Sequence, residues 1–257
     1  MESPLASQTV LIPRPVQAGQ DPLGTRLADM GASVVYSPVI QILPPVAWDD
    51  LDRALRSIQQ YQGAVFLSRH GVQAVVDRAE SLGERDGLID SLGSLGCFTI
   101  GQGTAAELER LTGKSSHVPG QSNSQAMADL LIEQRQHAPF LIFRGDRGSR
   151  VLPQQLSSGD IPFQQVVAYR SADVEVVDRK TVDRMGQGLI DWVTVTSSAI
   201  ARSLVRLYGD SLRRTRLASI SPTTSGVLDA LGYPPDVEAE HYDFNGLVAA
   251  MVPSGRD

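Results

Sequence analysis

Two stretches of this chain share one layout, and that repeat limits the possible folds more than any single motif. VLIPRPVQAGQDPLGTRLADMGASVVYSPV and FLIFRGDRGSRVLPQQLSSGDIPFQQVVAYR each read as a strand, a loop carrying an arginine (Arg14, Arg144), a Leu-containing helix, a short Gly turn and a second strand. A second kind of piece also recurs. VFLSRHGVQAVV matches VTVTSSAIARSLV, TIGQGTAAELERLTGKSSHVP matches SISPTTSGVLDALGYPPDVE, and the helices SQAMADLL and FNGLVAAM correspond. With the two kinds called X and Y, the chain runs X, Y, X, Y, so it holds two copies of one architecture.

Short apolar runs at 10–12, 33–36, 64–67, 97–100, 116–118, 140–143, 165–169, 192–196, 217–220 and 237–239 are the strand candidates. Amphipathic stretches lie between them, such as LDRALRSIQQ (Leu51, Leu55, Ile58) and SQAMADLLIEQ (Met127, Leu130, Leu131). Apolar runs of this kind, alternating with helices, predict α/β architecture with parallel sheets covered on both faces. At 257 residues the expectation is two five-stranded α/β domains. A sequential wiring would need one linker near 134–139, but IEQRQHA is short and helical. SPVIQILPP (37–45) and YRSADVEVV (169–177) each follow an X piece and alternate apolar with polar residues, as a pair of connector strands would. A nested wiring is therefore expected: residues 1–38 with 173–257 as one domain, 39–172 inserted as the other.

Composition narrows the function classes. Apolar residues make up 42% and charged residues 20%, the balance of a soluble globular protein. A net charge of −6 argues against a nucleic-acid partner. No apolar run approaches the ~20 residues that span a bilayer, and MESPLASQT has neither a basic start nor an apolar core, so no membrane partner and no secretory signal are expected. The sole cysteine, Cys97 in CFTI, reads as a small buried hydrophobe and fits a cytoplasmic setting. Of 23 basic residues only Lys114 and Lys180 are lysines. Genomic base composition accounts for that bias, and so does a preference for planar forks that grip carboxylates or phosphates. His70, His117, His137 and His241 have no ligand-like spacing, so no metal is expected. Ser197 and Ser198 stand in no G-x-S-x-G elbow.

Gly101, Gly103 and Ala106 in TIGQGTAAEL spell G-x-G-x-x-A after an apolar run, the outline of a dinucleotide-binding turn. About 20 residues on, where the ribose-binding acid of such a turn would stand, HVPGQSNSQ has none and the next acid is Asp129, inside a predicted helix. The repeat partner Ser221-Pro222-Thr223-Thr224 has neither glycine. The turn's shape therefore does not depend on that fingerprint. The two turns share a threonine, Thr104 and Thr224. It can cap the following helix, or face the carboxyl end of the sheet where α/β folds bind ligands. Ser68-Arg69 and Thr196-Ser197-Ser198 end their strands in the matching way. Four strand ends with small hydroxyls and helix N-termini suit an anionic ligand and are poor in acids, bases and nucleophiles. An enzyme working mainly by positioning, a non-catalytic two-lobed sensor of a small anion, and a nucleotide-dependent α/β enzyme all remain open at this point.

VFLSRHGVQAVV, IGQGTAAELERLTG, LIFRGDRGSRVLPQQL, VVAYRSA, VTVTSSAIARSLV and ISPTTSGVLDALGYP occur in an order that resembles the uroporphyrinogen-III synthase family, from Val10 to Val252. The resemblance implies two flavodoxin-like domains in nested wiring, a two-stranded connector, an active site in the cleft, a monomer, and no cofactor. It implies cyclisation of hydroxymethylbilane to uroporphyrinogen III with ring D inverted and water lost. The family's cleft tyrosine falls on Tyr169, which would help the hydroxyl depart. Its substrate-binding turns fall on Gly101 to Thr104 (with Gly103), on Ser221 to Thr224 (with Thr223), on Ser68-Arg69 and on Thr196-Ser197-Ser198. Arg14 and Arg144 are further candidates for the substrate's carboxylates, and loop solvation would account for them equally well. Gln102-Gly103 stands where the family more usually has Pro-Ala, and Ser221 where it has Gly.

Overall fold

The computed structural model describes residues 3–16, 21–135 and 138–252. In chain order its elements begin β1 (Thr9–Ile12), α1 (Pro22–Asp29), β2 (Ser33–Tyr36), β3 (Ile40–Leu43), α2 (Asp49–Arg56), β4 (Gly63–Phe66), α3 (Arg69–Ser81), α4 (Arg85–Ser94), β5 (Gly96–Thr99), α5 (Gln102–Thr112) and α6 (Ser124–Glu133). They continue β6 (Phe140–Gly145), α7 (Val151–Ser158), β7 (Phe163–Asp173), α8 (Arg179–Gly186), β8 (Trp192–Val195), α9 (Ser198–Tyr208), β9 (Arg216–Ser219), α10 (Pro222–Ala230), β10 (Val237–Glu238) and α11 (Phe244–Met251).

The chain divides into two compact units, residues 1–41 with 172–257 and residues 42–171. The first unit carries a sheet of order β10-β9-β8-β1-β2, and every neighbouring pair is parallel. Numbered along the unit's own chain this is the flavodoxin-like order 2-1-3-4-5. The second unit carries β3-β7-β6-β4-β5, in which β7-β6-β4-β5 are parallel. Here β6–α7–β7 takes the place that β1–α1–β2 takes in the first unit, as the repeat predicts.

The central strands of each sheet are apolar because both faces are covered. In the second unit Ala64, Phe66, Leu141 and Phe143 join one core cluster, and the alternate residues Val65, Phe140 and Ile142 join another. In the first unit Leu11, Val193 and Val195 face one cluster while Val10, Ile12 and Trp192 face the other. The two-residue periodicity of the strands sends successive side chains to opposite faces, so continuous runs such as FLIF are required rather than alternation.

One strand expectation fails. Residues 116–118 form only an isolated bridge, His117 with Phe98, and the fifth place in the second sheet goes to β3 beside β7. The bridge stands where Val237 pairs with Ala218 at the start of β10: His117 N–H donates to the Cys97 carbonyl and Thr99 N–H donates to that of His117. The ladder in the first unit then continues with Ala239 N–H donating to the Ser219 carbonyl, 2.9 Å. In the second unit the residue at that position is Pro119, which has no N–H to offer Thr99, and pairing stops. The expected connector strands are also shorter than 37–45 and 169–177. β3 ends at Leu43, before Pro44-Pro45, and β7 continues unbroken from the sheet to Asp173.

Candidate active site

Parallel sheets of this order bind ligands outside the carboxyl ends of their strands. Four strand-to-helix junctions at those ends share one backbone conformation. The residue before the helix is fully extended: Ser68 (φ −169, ψ 160), Gly101 (−175, 168), Ser197 (−168, 159) and Ser221 (−166, 159). In the second unit Ser68 caps α3 by accepting the Gly71 N–H at 3.0 Å. In the first unit Ser197 caps α9 by accepting the Ile200 N–H at 3.3 Å. Both junctions thus present a hydroxyl next to the positive end of a helix dipole.

Thr104 and Thr224 do not cap their helices. Gly101 and Ser221 occupy the cap positions, and each threonine sits one turn in, 6% and 2% exposed respectively. Thr224 instead lies 3.2 Å from the Ser221 hydroxyl. Thr223 and Gly103, one residue earlier in each turn, are exposed. Gly101 is explained by packing: a β-carbon there would lie 2.5 Å from Ser122 Oγ. At Gly103 there is room, the nearest atom being Arg69 Cδ at 3.9 Å. That proximity brings the starts of α3 and α5 together and puts Ser68, Arg69 and Gly103 in one neighbourhood. In the first unit Thr196, Ser197 and Ser198 are half-buried at the end of β8.

Tyr169 belongs to the same neighbourhood as Ser68. β7 pairs with β6 so that Tyr169 lies opposite Gly145, and Ser68 Oγ donates to the Tyr169 hydroxyl at 2.9 Å. The His70 ring stands edge-on to the phenol with centroids 5.8 Å apart. Burial pushes the Tyr169 pKa above the usual phenol value; the Ser68 hydrogen bond opposes that shift, Asp146 adds to it and Arg144 opposes it. The side chain is therefore a neutral phenol at physiological pH.

Two residues that hold Tyr169 escape a reading of the sequence. Gly145 leaves the space its ring fills, since a β-carbon there would come within 2.8 Å of Cζ. Asp146 ties the end of β6 to β7: its N–H donates to the Tyr169 carbonyl at 3.1 Å, and its Oδ1 accepts the Ser171 and Arg147 N–H groups, each at 2.9 Å. The signal for both was the Gly-Asp that follows Arg144 in LIFRGD, where the first X piece has Pro15-Val16.

The two loop arginines are engaged within their own units. Arg14, 7% exposed, pairs with Asp21, the cap of α1, and its guanidinium lies 4.8 Å from the centre of the Phe244 ring. Arg144 donates from Nε to the Gly145 carbonyl (3.0 Å), from Nη1 to Gln165 Oε1 (2.8 Å) and from Nη2 to the Gly148 carbonyl (2.7 Å). Cys97 is buried, and its thiol is pushed up to about 11 by desolvation, the state of a packed thiol and not of a nucleophile. His137 lies outside the described residues. Among the described residues no helix is long and apolar enough to cross a membrane.

The chain is similar to known proteins along nearly its whole length. A family profile described as Uroporphyrinogen-III synthase HemD matches residues 21–249. The chain is 27% identical to the uroporphyrinogen-III synthase of Synechococcus elongatus over 262 aligned residues, covering 97% of this chain and 96% of that protein. It is 23% identical to the enzyme of that name from Chlorobaculum parvum, covering 95% and 98%. Among solved structures, uroporphyrinogen-III synthetase from Helicobacter pylori superposes with a TM-score of 0.62 at 14% identity, covering 94% of this chain and 97% of that one. A mutant uroporphyrinogen III synthase from Thermus thermophilus gives 0.58 at 14%, covering 95% and 97%. The structural likeness establishes the fold, and the family profile spans nearly the whole chain. The protein belongs to the uroporphyrinogen-III synthase family.

Proposed function

We propose that this chain is a cyclising hydro-lyase that converts hydroxymethylbilane to uroporphyrinogen III, inverting ring D and releasing water. The observation that carries the reading, within a chain of this family, is the Ser68–Tyr169 hydroxyl pair at the carboxyl end of the second sheet, beside the N-terminus of α3. The Tyr169 phenol hands its proton to the departing hydroxyl of the substrate, so the C–O bond breaks and water leaves. The substituted α-carbon of ring D attacks the resulting azafulvene cation, and the spiro intermediate fragments and recloses with that ring reversed. The proton released when the ring system regains its pyrrole form restores the phenol.

The rest of the task is conformational. A polycarboxylate substrate meets a protein of net charge −6, so attraction has to be local. Backbone N–H groups at the starts of α3, α5, α9 and α10 supply it. The hydroxyls and side chains of Ser68, Arg69, Thr104, Thr196, Ser197, Ser198, Thr223 and Thr224 add to them, together with the open backbone at Gly101 and Gly103. Arg14 and Arg144, each engaged within its own unit by Asp21 and by the 145–148 loop, shape the loops that follow β1 and β6. Holding the bilane so that ring D faces the cation is worth more here than strong acid–base chemistry. The chain works as a cytoplasmic monomer on this small molecule, with no nucleic-acid partner.

The test is to supply hydroxymethylbilane and resolve the type I and type III uroporphyrinogens, since the type I isomer forms without an enzyme. A type III fraction that rises with protein concentration supports the assignment. A fraction that stays at the background level ends it.

A further inference from the structure

Ser68 has two tasks that a single hydroxyl can meet only in one orientation. Its oxygen accepts the Gly71 N–H at 3.0 Å as the cap of α3, and its hydrogen goes to the Tyr169 oxygen at 2.9 Å. The cap geometry is set by the extended backbone at Ser68 and by the Gly71 N–H that its oxygen accepts. The phenol is fixed from its other side by Gly145. A phenol oxygen that accepts a hydrogen bond from Ser68 has its own proton directed away from Ser68, and it gains a donor that steadies negative charge as the proton leaves.

We propose that Ser68 is a positioning residue for Tyr169: held by the cap of α3, it orients the phenol proton outward and stabilises the phenolate that forms as the proton is transferred. The inference rests on the proposed cyclisation and deepens it, because it separates Ser68 from the hydroxyls that merely meet substrate. Among the described residues the same cap at Ser197 in the first unit has no tyrosine in its hydrogen bonds, so the relay belongs to one unit and not to the repeat. The opposing effects on the phenol agree: burial raises its pKa and the Ser68 bond lowers it.

Variants at this position separate the cap from the relay. Ser68→Gly keeps a residue that caps nearly as well but removes the donor, whereas Ser68→Thr keeps both functions on one oxygen. Type III formation by Ser68→Gly is expected to show kcat lowered about tenfold with KM little changed, the signature of an interaction made in the transition state. Ser68→Thr is expected to restore kcat to within about twofold. In the Tyr169→Phe background, Ser68→Gly is expected to cost nothing further, because the relay has lost its target. An equal loss in both backgrounds, a loss confined to KM, or a wild-type rate for Tyr169→Phe overturns the inference while leaving the cyclisation reading intact. A wild-type protein that does not raise the type III fraction overturns both.

Discussion

Gly145 is the seat of Tyr169: a β-carbon at Gly145 would lie 2.8 Å from the phenol's Cζ and 2.9 Å from its Oη. The two residues face each other across the β6–β7 pairing, and the ladder shifts register at that point. The glycine is thus explained by what the neighbouring strand carries. Its own backbone asks for nothing unusual.

Gly145→Ala should therefore damage catalysis more than stability. The obstructed group is the tip of a side chain that can swing aside, so the melting temperature should move by only a few degrees, while the displaced phenol loses its alignment. A fall in kcat of about tenfold or more is expected, since ångström-scale misplacement costs up to about a hundredfold. Steady-state kinetics beside a thermal melt decides it, and a variant with wild-type kcat would show that the phenol's position does not matter.

Tyr169→Phe removes the proton donor and leaves the ring. Cyclisation to the type III isomer should slow by about a hundredfold, the lower end of the general-acid range, because the substrate's hydroxyl already departs readily. Unfolding free energy should fall by only about 1 kcal/mol, the net worth of the hydrogen bond to Ser68. Unchanged turnover in the isomer assay would reduce Tyr169 to a packing residue.

Gly101 and Gly103 should respond oppositely to alanine. At Gly101 the new methyl group meets Ser122 Oγ at 2.5 Å and Ser122 Cβ at 3.1 Å, so Gly101→Ala should destabilise by about 1–3 kcal/mol. Adding Ser122→Gly should recover much of that loss. At Gly103 the space is open and the position is helical, so Gly103→Ala should be neutral or stabilising by up to about 1 kcal/mol. Urea denaturation of the four proteins checks this. Equal damage from both substitutions would contradict a packing origin for the G-x-G spelling.

Alkaline pH should weaken the second unit through Cys97. The folded thiol, 4% exposed, is raised from 9.0 to about 11 by desolvation. Between those values the unfolded chain has released the proton and the folded chain still holds it. The folded state therefore binds more protons, and stability falls as pH rises through that window. The loss amounts to about 2–3 kcal/mol, and Tyr169, raised in the same unit, acts in the same direction. In Cys97→Ala the decline from about pH 9 to about pH 11 should be shallower, whatever its offset at neutral pH. Parallel stability–pH curves for the two proteins would refute the assignment.

The fold was legible because its signals are local. Strands buried on both faces need continuous runs such as FLIF and WVTV, which stand out between amphipathic helices, and an internal repeat carries topology from one half to the other. The hydroxyl-bearing junctions were legible for the same reason: Ser68 and Ser197 follow their strands directly and cap the next helix in the same way. What the sequence alone determined was the α/β class with parallel sheets and the order in which the repeated pieces follow one another along the chain.

Only the tertiary structure decided which of those residues meet. Ser68 and Tyr169 are 101 residues apart, and nothing local predicts that one hydroxyl serves both a helix cap and a phenol. Gly101 answers to Ser122, Gly145 to Tyr169, and Arg14 to Asp21 and Phe244, each through contact across elements. The fifth strand of the second sheet was decided the same way. Residues 116–118 have the pattern of a strand, but Pro119 withholds the N–H that Ala239 donates in the other unit, and β3 takes the place beside β7. Periodicity reports which face of an element is buried; it carries no information about which neighbour occupies the space beyond that face.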